Sequence, residues 1–98
     1  MIDQRYVGPA DLHDARIISI SRENKNLIVN IRSHGGRKFG VRFFGVREIQ
    51  AKEIEGMILY ALVERGSATP KQYVFANWDE NDSGSLEITA NGFEVIDG

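Results

Sequence analysis

The sequence contains no cysteine. That absence removes disulfides, thiolate metal sites and thiol nucleophiles together, and it suits a reducing compartment. Long apolar runs are missing as well: no stretch approaches the roughly 18 uninterrupted residues needed to cross a bilayer. The opening "MIDQRYVGPADLHD" has no basic region followed by an apolar core. Neither export nor membrane insertion is therefore expected, and the expected compartment is the cytoplasm. Phosphate-loop and dinucleotide fingerprints do not occur, and Ser67, Ser83 and Ser85 lie in turn-like contexts without a nucleophile elbow. These absences leave no residue set marked for catalysis, so a non-enzymatic protein without a cofactor is expected. No internal repeat, linker or low-complexity segment divides the chain.

The residues present describe one globular domain spanning 1–98, with 42% hydrophobic and 27% charged content. A chain of this length buries somewhat over about 60% of its unfolded surface and folds without covalent staples. The net charge of -2 hides an asymmetry, because residues 1–47 carry nine Lys/Arg against four Asp/Glu and residues 48–98 carry three against ten. If the two halves kept separate surfaces, one face would be acidic and would steer a basic partner. Interleaved halves, the expected outcome, would cancel that field.

Period-two alternation dominates the pattern. In "NLIVNIRS" Leu27, Val29 and Ile31 share one face, and in "RKFGVRFF" Phe39, Val41 and Phe43 do the same. "SHGGR" lies between these two half-buried strands, with Gly35 and Gly36 where a hairpin must reverse. Upstream, "ARIISIS" forms the first strand, followed by the polar turn "RENKN"; downstream, "REIQA" is a short fourth strand. "QYVFANW" is a later one, after a loop that contains Pro70.

Two segments fit more than one template. In "IEGMILYALVERG" the residues Ile54, Met57, Ile58, Ala61 and Leu62 have helical spacing, yet Met57, Leu59, Ala61 and Val63 also alternate. Gly56 favours a turn near 53–56 and a strand over 57–65, with a short helix near 53–63 as the alternative. In "LEITANGFEVI" the apolar set runs Leu86, Ile88, Ala90 and then Phe93, Val95, so parity flips across Asn91-Gly92. A tight hairpin or a bulge within one bent strand would each satisfy the flip. The fold class that follows is all-β and mainly antiparallel, a seven- to eight-stranded sandwich or barrel.

Several stretches raise chemical possibilities. "DLHDAR" sets Asp11, His13 and Asp14 within four positions, the beginning of a metal or small-ligand site if further ligands join them, or else a polar turn entering strand one. "DENDSGSLEITA" follows the spacing of a calcium loop until its twelfth place, where Ala90 replaces the required Glu. It reads better as a solvated acidic turn. "RKFGVRFF" partly mimics an RNA-binding octamer through Arg37, Phe39, Gly40 and Phe44 but lacks the second stacking aromatic, with Val41 in its place. Arg32, Lys38, Arg42 and Arg47 would form a basic stripe on the same hairpin, although nucleic acid is the disfavoured partner. Phe44, Tyr60 and Trp78 have the parity of exposed aromatics, which favours a protein-binding surface. Together with the acidic Asp79, Glu80 and Asp82, the residues Trp78 and Tyr60 are the candidate protein-binding set. A homodimer is a further option that the sequence leaves open.

The order of the pieces "LHDARIISI", an alternating strand, "VRFFGVREI", a strand after "EGMI" and a closing "GSLEITANGFEVI" resembles Immunity protein 50. This is a small bacterial β-rich family of polymorphic toxin systems, and the resemblance runs over about residues 11–96. It implies a non-enzymatic protein that binds and neutralises a toxin. An acidic surface would then complement a basic active site.

Overall fold

The computed structural model describes residues 4–77 and 84–97. Nine strands occur among them: β1 (Gln4–Val7), β2 (Arg16–Glu23), β3 (Asn26–Arg32), β4 (Lys38–Phe44), β5 (Glu48–Lys52), β6 (Leu59–Arg65), β7 (Lys71–Asn77), β8 (Ser85–Ala90) and β9 (Gly92–Asp97). A single 3-10 turn, Ala10–Leu12, precedes β2. All pairings are antiparallel, in a five-stranded sheet ordered β1-β6-β7-β8-β5 and a four-stranded sheet ordered β2-β3-β4-β9. An isolated antiparallel bridge, Arg16–Ile58, joins the two sheets at one corner, but they do not close into a barrel, and the architecture is that of a β-sandwich. Among the described residues no helix is long and apolar enough to cross a membrane.

The alternating residues point where their period requires. Leu27, Val29 and Ile31 of β3 and Phe39, Val41 and Phe43 of β4 are buried, and so are Leu62, Tyr73, Phe75, Leu86, Ile88 and Ala90 from the other sheet. Phe43 links the layers, with its ring 5.2 Å from Tyr73 and 5.9 Å from Phe75. The β3–β4 hairpin reverses at Ser33–Arg37 as its glycines predict: Gly36 has φ +93°, and the Ser33 N–H donates to the Arg37 carbonyl at 2.8 Å.

Two β-bulges explain where simple alternation misleads. In β2, Ile17 pairs with Ile31 and Ser19 with Asn30, which leaves Ile18 as an extra residue. The bulge lets Ile17 and Ile20 both turn inward although their spacing is three. In β6, Leu59 pairs with Asn77 and Ala61 with Ala76, so Tyr60 is the extra residue and Leu59 and Leu62 both reach the core. An inward pair three residues apart is also the mark of a helix face. The segment 53–63 therefore contains a turn and the start of a bulged strand, and the helical alternative is replaced.

The parity flip at Asn91-Gly92 has a related cause. β8 and β9 do not pair with each other; they are one bent ribbon that leaves the five-stranded sheet and enters the four-stranded one. The flip at Asn91-Gly92 is thus a bend within one strand, and the hairpin is excluded. Beside it, Gly45–Arg47 carries the chain the other way, from β4 to β5. The Asn91 N–H donates to the Phe44 carbonyl at 2.7 Å and the Arg47 N–H to the Thr89 carbonyl at 2.8 Å, so the two corners brace each other. Gly45 has φ +58°, and a Cβ there would collide with the Asn91 side chain. The predicted strand number of seven to eight becomes nine because the ribbon counts as two strands and because β1 pairs as an edge strand.

Candidate functional site

Asp11, His13 and Asp14 of "DLHDAR" line one shallow recess with Ser33, His34 and Arg37. Leu12 is buried and anchors the 3-10 turn, and the Cβ that Gly8 lacks would lie 2.8 Å from the Leu12 Cδ1. Asp14, at φ +65°, redirects the chain into β2. With Leu12 and Ala15 buried, Asp11 and His13 face outward. Asp11 accepts a hydrogen bond from the Arg37 guanidinium at the tip of the β3–β4 hairpin. His13 lies with its Nε2 3.8 Å from Asp14 Oδ2. Among the described residues no group of three or more His, Cys, Asp or Glu side chains is placed to hold an ion.

His13 instead joins an aromatic cluster. Its ring stands edge-on to Tyr60 at 5.5 Å, and Tyr60 stands edge-on to Tyr6 at 6.2 Å. These are the edge-to-face geometries that aromatic quadrupoles favour. Tyr60, which follows the inward Leu59 and is the extra residue of the β6 bulge, remains 42% exposed; Tyr6, on the edge strand β1, is 68% exposed. Backbone hydrogen bonds fix the corner, since the Asp14 N–H donates to the Leu59 carbonyl at 2.9 Å and the Leu59 N–H to the Ala15 carbonyl at 2.8 Å. A shallow recess of about 320 Å³ opens between Tyr6, Val7, Pro9, His13 and Tyr60.

The other candidates divide. Phe39 and Phe43 of the RNA-like octamer are core residues and Phe44 is only half-buried. In the basic stripe, Arg32 and Lys38 are register partners. Arg42 is committed to Glu94 at 2.7 Å and Glu23 at 3.6 Å, which breaks the stripe. Trp78, Asp79, Glu80 and Asp82 lie outside the described residues, as does the centre of the calcium-like loop.

A second cluster escaped sequence reasoning. Glu64 on β6 pairs in register with Arg5 on β1 and Tyr73 on β7. Its carboxylate accepts hydrogen bonds from Arg5 Nε at 2.8 Å, Lys71 Nζ at 3.4 Å and the Tyr73 hydroxyl at 2.9 Å. The Glu64 side chain is only 6% exposed. Desolvation alone would raise its pKa, but the hydrogen bonds from Tyr73, Arg5 and Lys71 and the charge of Arg5 outweigh burial and hold it below the ordinary value. For Tyr73, burial comes first and the Glu64 carboxylate second, and both push the phenol upward. The Tyr60 bulge hid this site: without it, parity from Leu59 puts Glu64 on the solvent side. An open recess of about 380 Å³ adjoins the cluster, lined by Gln4, Arg5, Glu64, Gly66, Ser67 and Lys71.

Comparisons with protein-family models, with curated proteins and with solved structures return no match for this chain.

Proposed function

We propose that this chain is a non-enzymatic protein-binding module that seats a partner protein on the corner formed by Tyr6, His13 and Tyr60. The observation that carries this reading is three neighbouring rings held at the surface by a bulged strand and a backbone-braced turn. Tyrosine supplies a large contact area, a polar tip and few rotatable bonds, the properties of an interface anchor. Fixing the rings before contact lowers the ordering cost of association.

The resemblance to Immunity protein 50 favours a toxin as the partner, neutralised by occupancy. In that reading Asp79, Glu80 and Asp82 speed the approach of a basic toxin, and Trp78 adds to the contact. The test is calorimetric titration with the protein encoded immediately upstream. A Tyr6→Ala/Tyr60→Ala double variant is expected to weaken binding by about 30-fold or more, since one anchor residue contributes about 2 kcal/mol. Circular dichroism would show the variant still folded. No binding by the unmodified chain, or unchanged affinity in the double variant, would defeat the proposal.

A further inference from the structure

Arg5 and Tyr6 are successive residues of β1, so their side chains leave opposite faces of the strand. Tyr6 belongs to the aromatic corner; Arg5 points to the recess beside Glu64 and the β6–β7 turn. We propose that this recess is a binding site for a carboxylate group, held by Arg5 and Lys71 with Glu64 as their fixed base.

Charge counting supports an anion here. One carboxylate faces two cations, Arg5 and Lys71, which leaves one positive charge uncompensated among the described residues around the recess. Donor counting gives the same result. A guanidinium has five N–H donors. Arg5 directs its Nε and Nη2 to a single oxygen of Glu64, each at 2.8 Å, so the end of the fork formed by Nη1 and Nη2 is turned away from that carboxylate. Such a fork matches a second carboxylate in bidentate fashion. Lys71 adds the remaining donors of its ammonium, and Ser67 brings a hydroxyl to the rim.

Exposure differs across the cluster as a receptor requires. Glu64 is buried, Lys71 is 23% exposed and Arg5 is 69% exposed, so the cations are accessible and the carboxylate that orients them is not. A single surplus charge matches a monoanion, which favours a carboxylate over a phosphate dianion.

The experiment is a nuclear magnetic resonance titration of the full chain at pH 7 with sodium acetate, against sodium chloride at equal ionic strength, with inorganic phosphate as a second arm. Saturable shifts with acetate are expected at the amides of Arg5, Gly66, Ser67 and Lys71. Lys71→Met, which keeps the aliphatic stem, is expected to weaken acetate at least tenfold, and Tyr6→Ala/Tyr60→Ala to leave it unchanged. Shifts that chloride reproduces would remove the site whatever the variants do. Tighter saturation by phosphate at the same amides would overturn the carboxylate assignment, and so would unchanged acetate affinity in Lys71→Met.

Discussion

At the scale of single residues, Glu64 and Tyr73 make stability depend on pH from both sides. Folding lowers the pKa of Glu64, so its contribution is complete above the pH at which an unfolded glutamate ionises, about 4.3, and is lost as acid protonates the folded carboxylate. Folding raises the pKa of Tyr73, so its contribution is complete below about pH 10, where an unfolded tyrosine ionises, and is lost above it. Between those limits the two groups contribute a plateau. Melting temperatures measured across pH should fall on both sides, with a shallower acid limb in Glu64→Gln and a shallower alkaline limb in Tyr73→Phe. At pH 7, Tyr73→Phe should cost about 2 kcal/mol in urea unfolding, the loss of one hydrogen bond to a charged group. Limbs identical to those of the unmodified chain would mean that the contacts around Glu64 are not formed in solution.

Elements were legible wherever one residue faced one residue. β3, β4 and the glycine hairpin between them follow from alternation alone, because every inward position in "NLIVNIRS" and "RKFGVRFF" is apolar. β2 and β6 were harder, since each hides an extra residue that alternation cannot locate. The consequence for the sites is direct: parity from Leu59 turns Tyr60 outward with or without the bulge, whereas the bulge turns Glu64 inward, so the exposed Tyr60 is legible in the sequence and the buried Glu64 is not. Long-range pairing was equally hidden, because nothing local in "DLHDAR" says that Asp11 will meet Arg37 or that His13 will meet Tyr60. Bulges make a prediction about deletions. Removing Ile18 restores one-to-one pairing and keeps Ile17 and Ile20 inward, so that variant should give a dispersed, folded nuclear magnetic resonance spectrum. Removing Asn30, which pairs with Gly40 in the unbroken β3–β4 register, shifts one side of the strand to the opposite face and should abolish folding. Equal damage from both deletions would contradict the assigned register.

For the whole molecule, the charge asymmetry along the sequence does not become a simple two-sided field. β1 comes from the basic half yet lies in the sheet built by the acidic half, and β9 makes the reverse exchange. Pairs such as Arg5 with Glu64 and Arg42 with Glu94 join the halves. The sandwich thus cancels much of its charge internally among the described residues, and its most distinctive surface is the edge where β1 meets β6. That edge presents rings on one face and cations on the other, which is the basis for reading the protein as a recognition module. The most direct measurement is the amide footprint left when the upstream-encoded protein binds the isotopically labelled chain. Protection and shifts should concentrate at Tyr6, His13, Tyr60 and Ala61, with β3 and β4 unaffected. A footprint centred on the outer face of β3 and β4, with the Tyr6–Tyr60 corner unchanged, would contradict the account.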